Sequence, residues 1–144
     1  MQRERNRIHF TFEIKAELDN FPAFIDFIDS SLAKTGIELK EKIDVITACE
    51  ELIVNVINYA YSGEKGNLKI DFEADESNIG ITFTDSGKEF NPLAGTGPDI
   101  NLPIEEREAG GLGILMVKNL MDDVKYEFKG GKNCLSVSKK IFHE

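Results

Sequence analysis

Five segments of the chain alternate apolar and polar residues. They are IHFTFEI at residues 8–14, NLKIDFEA at 67–74, IGITFTD at 79–85, VKYEF at 124–128 and CLSVSKKIF at 134–142. Because side chains alternate between the two faces of a strand, this pattern predicts strands that each bury one face. The connections DESN and KGGKN are short and rich in turn residues, which predicts two hairpins.

Helical periodicity lies between the first two of these strands. A first helix is predicted at residues 21–34, and a longer one over TGIELKEKIDVITACEELIVNVINYAYSG, ending near Ser62 and Gly63. A short third helix is predicted after the glycines of GGLGILMVKNLMDD. Since each strand offers one apolar face, we expect the helices to cover one side of a mostly antiparallel sheet, as a two-layer α+β sandwich.

One long segment has no sustained period. Residues 88–109, KEFNPLAGTGPDINLPIEEREA, hold three of the four prolines. Loops of this length inside a small domain are uncommon and tend to be functional lids or disordered segments. The 144 residues with 41% hydrophobic content suffice for one core, so we predict a single domain over 1–144 with a lid at 88–109.

Charge and composition narrow the function. A net charge of −9 argues against direct nucleic-acid binding and suits a basic partner surface. The charged start MQRERNRIHF lacks the apolar core of a signal peptide, and no run approaches the roughly 20 apolar residues of a membrane span, so we expect a cytoplasmic protein. His9 and His143 lie near opposite ends, and Cys49 and Cys134 have no ligand partner at close spacing, so buried, inert thiols are expected.

A polar stripe runs along the long helix. Glu51, Asn55 and Asn58 are spaced by four and three residues, so at about 100° per residue they share one face. A solvated helix face explains this pattern. Asparagine is a poor helix former, however, which favours a binding role. An amide oxygen can be the single protein ligand of a phosphate-bound Mg²⁺, and Glu51 can then orient or deprotonate an attacking hydroxyl.

Asp85 continues the inward phase of Ile79, Ile81 and Phe83. A carboxylate that points toward an apolar layer needs hydrogen-bond donors. An Asx-type turn into Gly87 is one source of donors. The amino group of a purine lodged between sheet and helices is the other, with Gly87 leaving room for the ring.

The segment GGLG at residues 110–113 precedes an apolar helical pattern. Glycines followed by a helix N-terminus can bind an anion, although a flexible hinge explains the same residues. Neither G-x-x-x-x-G-K-[ST] nor G-x-G-x-x-G is present, which argues against a P-loop or Rossmann protein.

Three segments, in this order, resemble the GHKL (histidine-kinase-like) ATPase superfamily, whose nucleotide site lies between an antiparallel sheet and helices beneath a mobile lid. EELIVNVINYAY resembles its N box, DSGKEFNP its first glycine box and GGLGILMVKNLMDDVKYEF its second. The Ala-Tyr after the N box and the LMDDV segment are most similar to the anti-sigma-factor serine kinases. The resemblance covers roughly Ile8 to Phe142.

The resemblance implies that the protein binds ATP and Mg²⁺. It assigns Glu51 as the general base toward a substrate serine, Asn55 to Mg²⁺ and phosphate, and Asp85 to the adenine amino group. Further nucleotide contacts are implied for Asn58, Gly87, Phe90, Arg107, Gly110, Gly111, Leu112 and Gly113.

The resemblance also implies partners: a homodimer that binds a sigma factor and phosphorylates an anti-sigma-factor antagonist, acting as a partner switch. Two other functions stay open, a nucleotide-gated binding module without catalysis and the detached ATPase domain of a sensor histidine kinase. Two positions depart from the family pattern. Tyr59 stands where relatives often carry histidine, and GGKNCLSV has no clear counterpart of a late threonine.

Overall fold

The structure is a computed structural model of the chain, and it describes residues 7–61, 63–93 and 111–141. Strands and helices follow one another along these residues in the order β1 Ile8–Lys15, a 3₁₀ turn Leu18–Asn20, α1 Phe21–Leu32, α2 Leu39–Tyr59, β2 Asn67–Ala74, β3 Asn78–Asp85, α3 Gly111–Leu120, β4 Asp123–Lys129 and β5 Lys132–Lys140. The predicted strands and helices are therefore all present.

The described strands form one sheet in the order β1-β2-β3-β5-β4, and every neighbouring pair is antiparallel. The carboxylate of Asp75 closes the β2–β3 hairpin by accepting the backbone N–H groups of Ser77 and Asn78 at 2.8 Å. The β4–β5 hairpin turns through Gly130 and Gly131, whose φ angles of 61° and 75° favour glycine. Both predicted hairpins are confirmed.

The core lies between one face of the sheet and the helical layer. Alternate side chains of β2 and β3 are buried, and the helices contribute the facing apolar residues: Phe24, Ile28 and Leu32 from α1, Val45, Ala48, Cys49, Leu52 and Ile53 from α2, Ile114 and Val117 from α3. This arrangement confirms the two-layer α+β prediction.

The two cysteines differ in their surroundings. Burial, with the charge of Glu50 acting in the same direction, raises the pKa of the Cys49 thiol well above its ordinary value, so this thiol is protonated and unreactive. Cys134 is only half-buried, because it is out of phase with the inward residues of β5. The prediction of a buried thiol is therefore correct for Cys49 and wrong for Cys134.

The first two helices are shorter than predicted. α1 ends at Leu32, after which the Thr35 hydroxyl donates to the Leu32 carbonyl at 2.7 Å and accepts from Ile37 N at 3.2 Å. These bonds satisfy the chain in a turn, so α2 begins only at Leu39. At its other end α2 stops at Tyr59, ahead of the predicted end near Ser62, which itself lies outside the described residues.

Two predictions fall partly outside the described residues. The lid predicted at 88–109 is described only as far as Leu93, and Phe142, the last residue of the predicted final strand, is not described. None of the helices in the described part of the chain combines the length and apolar character that a bilayer crossing requires.

A junction joins the end of α2 to the ends of two strands. The Tyr61 hydroxyl donates to the Asn67 carbonyl at the start of β2 at 2.6 Å, and it accepts from Ser86 N just after β3 at 2.8 Å. In the same place Lys88 N donates to the Ala60 carbonyl at 3.1 Å. These bonds explain why the helix ends before Tyr61: its side chain is turned toward the strands.

Two glycines allow this close approach. A Cβ added to Gly66 would lie 2.0 Å from the ring of Tyr61, and one added to Gly87 would lie 2.2 Å from the Ala60 carbonyl oxygen. The second obstacle is backbone, which cannot rotate away as a side chain can. Gly87 is therefore required for the turn after β3 to pack on α2.

We expect Tyr61→Phe to lower the free energy of unfolding by about 1–3 kcal/mol, because two hydrogen bonds of about 0.5–1.5 kcal/mol each are lost. Urea denaturation measures the change. Tyr59→Phe is the matched control, since Tyr59 is 47% exposed and its hydroxyl bonds to no described residue. Equal stabilities for the two variants would show that the junction does not hold α2 to the strands.

We expect Gly87→Ala to lower the free energy of unfolding by about 1–3 kcal/mol, because the new methyl group is forced against a backbone carbonyl. Gly80→Ala within β3 is the control, since nothing lies within 4 Å of an added Cβ there. Thermal unfolding of the two variants gives the comparison. A Gly87→Ala protein as stable as Gly80→Ala would contradict the tight packing.

Candidate functional site

Asp85, the last residue of β3, is a buried carboxylate that is 8% exposed. Its Oδ1 accepts from Gly87 N at 2.8 Å and from Asn133 Nδ2 at 3.0 Å. The Asx-type turn considered from the sequence is therefore present, and it involves only one of the two oxygens. Among the described residues no donor reaches Oδ2, so this oxygen is available to a ligand that carries a donor.

Asn133, 7% exposed on β5, is a site residue that the sequence reasoning missed. Its Nδ2 donates to Asp85 and also to the Lys88 carbonyl at 2.9 Å. Its Oδ1 accepts from Phe90 N at 3.1 Å and from the Tyr126 hydroxyl. One amide thus joins the carboxylate, the segment after β3 and the edge strand β4.

A sequence signal for Asn133 did exist. It is in phase with Leu135 and Val137, the buried residues of β5, just as Asp85 is in phase with Phe83 on β3. A polar residue at an inward position requires a hydrogen-bond partner, and this holds for Asn133 as it does for Asp85. The two are also paired directly across the β3–β5 ladder.

The hydroxyl of Tyr126 remains a donor at neutral pH. Burial raises the pKa of Tyr126 above its ordinary value, and the charges of Glu89 and Asp85 act in the same direction, while a hydrogen bond with the Phe90 backbone opposes them. The protonated hydroxyl therefore donates to Asn133 Oδ1.

The polar stripe of α2 divides into three positions. Asn55 lines a cavity beside Asp85. Glu51, one turn earlier, lies against α3, where its Oε2 is 2.8 Å from the position that a Cβ of Gly113 would take. Asn58 is exposed and is not among the described residues that line the cavity. The structure thus brings together Asn55 and Asp85, with Glu51 adjacent, and leaves Asn58 on the surface.

The cavity has a volume of about 160 Å³ and lies between α2 and the ends of β3 and β5. Its walls are mostly apolar, and a few polar groups converge on it; the lining residues are Leu52, Asn55, Val56, Tyr59, Ala60, Phe83, Asp85, Lys88, Phe90, Pro92, Tyr126, Asn133 and Leu135. Such a mixture is typical of small-molecule sites. The predicted contacts Asn55, Asp85 and Phe90 belong to the lining, whereas Lys88, Tyr126 and Asn133 were not predicted.

The glycine segment opens a helix, as its pattern predicted, since α3 begins at Gly111. The first N–H groups of a helix have no partner within it, so they can bind an anion. Gly113 lies in this first turn, beside Glu51. Leu112 belongs to the same turn, whereas Arg107 and Gly110 lie outside the described residues, so the contacts assigned to them stay predictions.

The described side chains can hold a metal ion only when a bound nucleotide supplies further ligands to that ion. Among the described residues no three His, Cys, Asp or Glu side chains are grouped to hold a metal ion. Mg²⁺ in nucleotide sites needs only one or two protein ligands, since phosphates and waters supply the rest. The Asn55 amide oxygen on the cavity wall fits that requirement.

Comparison with known proteins agrees with this geometry. The sequence matches the histidine kinase-like ATPase domain family over residues 14–139. Serine-protein kinase RsbW of Bacillus mycoides is 29% identical over 140 residues, which cover 94% of this chain and 86% of that protein. Serine-protein kinase RsbW of Oceanobacillus iheyensis is 35% identical over 106 residues, which cover 70% of this chain and 66% of the relative.

A solved structure is similar in fold. The crystal structure of the RsbU and RsbW domains of Rv1364c from Mycobacterium tuberculosis matches 95% of this chain and 33% of its own, with a TM-score of 0.67 and 14% identity. At that identity the likeness concerns the fold alone, and it confirms the sandwich architecture. The family match and the RsbW relatives confirm the resemblance carried by the three motif segments. This chain therefore belongs to the histidine kinase-like ATPase family and is similar within it to the RsbW serine-protein kinases.

Proposed function

We propose that this protein is an ATP-dependent serine protein kinase and anti-sigma factor, which binds adenine at Asp85 and transfers the terminal phosphoryl group beside Glu51. The observation that carries the proposal is the buried Asp85 carboxylate, with one oxygen held by the protein and the other without a described donor, in a mostly apolar cavity. A 6-aminopurine matches this cavity because it has flat apolar faces and a donor at its edge.

The adenine site is formed by the residues that surround Asp85. Its Oδ2 accepts the adenine amino group, while Gly87 donates its N–H to Oδ1 and lets the turn after β3 pack on Ala60, which lines the cavity. Leu52, Val56, Phe83 and Leu135 supply apolar surface for the ring. Phe90, 45% exposed at the same cavity, adds aromatic surface from the start of the proposed lid.

The phosphates lie toward the first turn of α3. The N–H groups of Gly111 and Gly113 donate to them, and Asn55 would hold the Mg²⁺ that accompanies the triphosphate. Mg²⁺, when bound with the nucleotide, neutralises charge on the phosphates. Arg107 from the end of the proposed lid, Gly110 and Leu112 are the further contacts that the family resemblance implies, and Asn58 acts through its neighbours on α2.

Glu51 acts as the general base in this proposal. It takes the proton of the substrate serine hydroxyl while the serine oxygen bonds to the γ-phosphorus and the bond to the β–γ bridging oxygen breaks, which yields phosphoserine and ADP. Its contact with Gly113 supports this role, because the carboxylate then lies beside the helix turn that binds the phosphates.

The proposed partners are those that the family resemblance implies. The protein binds a sigma factor, phosphorylates an anti-sigma-factor antagonist on serine and switches between them as a homodimer in the cytoplasm. Its likeness to RsbW serine-protein kinases supports the serine substrate. The net charge of −9 supports a basic surface on the sigma factor, since complementary charge accelerates encounter and selects partners.

We expect Asp85→Asn to weaken ATP binding by about tenfold or more, because a charged acceptor is lost and an amide donor can face the adenine amino group. Calorimetric titration with ATP, with and without Mg²⁺, measures the affinity. Asp71→Asn is the control, since Asp71 lies on the outer face of β2, where its carboxylate accepts from Thr11 at 2.7 Å. Undiminished ATP binding by a folded Asp85→Asn protein would contradict the assignment of the adenine site to Asp85.

We expect Glu51→Gln to bind ATP normally and to lose about 10²-fold or more of its phosphoryl transfer, because the amide cannot take the serine proton. Transfer is measured with γ-labelled ATP and Mg²⁺ in a soluble extract of the source cell. Glu50→Gln removes the neighbouring charge on α2 and is the control. Unchanged transfer by Glu51→Gln would contradict the base assignment.

The labelled product distinguishes the proposed serine kinase from the two alternative functions, a sensor histidine kinase domain and a binding module without catalysis. Phosphoserine survives acid, whereas phosphohistidine does not, so an acid-labile label would identify a histidine kinase activity. ATP binding without any transfer, in wild type and Glu51→Gln alike, would identify a nucleotide-gated binding module.

A further inference from the structure

Asn133 has no free hydrogen-bonding capacity. The two hydrogens of Nδ2 are directed to Asp85 Oδ1 at 3.0 Å and to the Lys88 carbonyl at 2.9 Å, and Oδ1 accepts from Phe90 N and the Tyr126 hydroxyl. An amide can donate two hydrogen bonds and accept two. Although Asn133 lines the cavity, it has no donor or acceptor left for a ligand, so its influence on a ligand must pass through its partners.

The partners also fix which way the amide points. Asp85 and the Lys88 carbonyl can only accept, and Phe90 N can only donate. A flipped amide would set its oxygen against two acceptors and its NH₂ group against a donor. Tyr126 adds a second donor to Oδ1 and so favours the observed orientation further.

This orientation decides what Asp85 offers to a ligand. The terminal torsion of aspartate is broad, so a single bond from Gly87 N leaves the carboxylate free to rotate. The second bond, from Asn133 on the neighbouring strand, holds Oδ1 on the protein side. Oδ2 is then presented to the cavity as a pure acceptor.

We propose that Asn133, oriented by Tyr126, is a positioning residue that gives the site its selectivity for 6-aminopurines over 6-oxopurines. The inference rests on the proposed ATP site. A 6-amino group donates to the fixed Oδ2, whereas a 6-oxo group places lone pairs against it and leaves a buried acceptor unpaired, which is strongly disfavoured. Without Asn133 the carboxylate turns, and both bases meet a less defined acceptor.

The test is the ratio of the dissociation constants of inosine triphosphate and ATP, measured by calorimetry with Mg²⁺. The wild type is expected to prefer ATP. We expect the preference to fall by about tenfold in Asn133→Ala and by roughly two- to fivefold in Tyr126→Phe, in line with the loss of one charge-assisted and one neutral hydrogen bond. General loosening of the site would weaken the binding of both nucleotides equally. The ratio of their dissociation constants therefore reports on how Asn133 positions Asp85.

Asn78→Ala is the matched control. Asn78 begins β3 at the end opposite Asp85, is exposed, and its amide side chain bonds to no described residue. Its ratio should equal that of the wild type. If Asn133→Ala fails to fold, Tyr126→Phe decides alone, because it removes a single hydroxyl from a half-buried side chain.

Asp85→Asn, measured alongside, separates this inference from the proposed function. A preference that disappears in Asp85→Asn but persists in both Asn133→Ala and Tyr126→Phe would overturn the positioning role and leave the ATP site intact. A folded wild type that binds neither nucleotide would overturn both proposals, whereas one that binds both equally would overturn the selectivity and leave ATP binding in place.

Discussion

A carboxylate held out of water at the end of β3 imposes the main constraint on this molecule. Asp85 is 8% exposed, and a charge so placed must be matched by donors. Gly87 N supplies one donor from the next turn, and Asn133 supplies the other from the neighbouring strand. Each donor is held in place by contacts of its own. The hydrogen-bonding requirement of Asp85 therefore affects residues in both layers of the fold.

The first donor lies where the turn after β3 packs against the end of α2. To reach Asp85, the chain turns sharply through Gly87, where the backbone comes against the Ala60 carbonyl at the end of α2. Tyr61 reinforces that contact through its bonds to Asn67 and Ser86. With its end attached to the sheet in this way, α2 presents Asn55 to the cavity that Asp85 borders. Packing at the junction thus positions the groups that recognise a ligand.

The second donor connects recognition to the start of the proposed lid. Asn133 contacts the Lys88 carbonyl and Phe90 N, the last described stretch before residues 94–110. On the other side of the site, Glu51 lies against Gly113 in the first turn of α3. The helix dipole favours a carboxylate at this position, because it lies beside the helix N-terminus. The glycine there leaves room for the carboxylate and exposes backbone donors in the same turn.

Local periodicity in the sequence was enough to predict most of the secondary structure and the layer architecture of this protein. Alternation of apolar residues located all five strands and their buried faces, placed Asp85 toward the helices, and led to the two-layer sandwich. The helical stripe put Glu51 and Asn55 near one another, and the three motif segments indicated the ATPase family before any geometry was known. The inferences about strands, buried faces and the helical stripe succeed because each depends on residues within a few positions of each other.

Tertiary structure alone decided the rest. Asn133 meets Asp85 from 48 positions away in sequence, Tyr61 ends α2 early by binding two strands, and Asn58 lies on the surface although it shares a stripe with Asn55. The sequence shows that Asp85 needs donors, but the identity of those donors depends on which strands become neighbours. Which carboxylate oxygen faces the cavity follows only from that pairing, because hydrogen-bond partners are chosen by distance in space and not by distance along the chain.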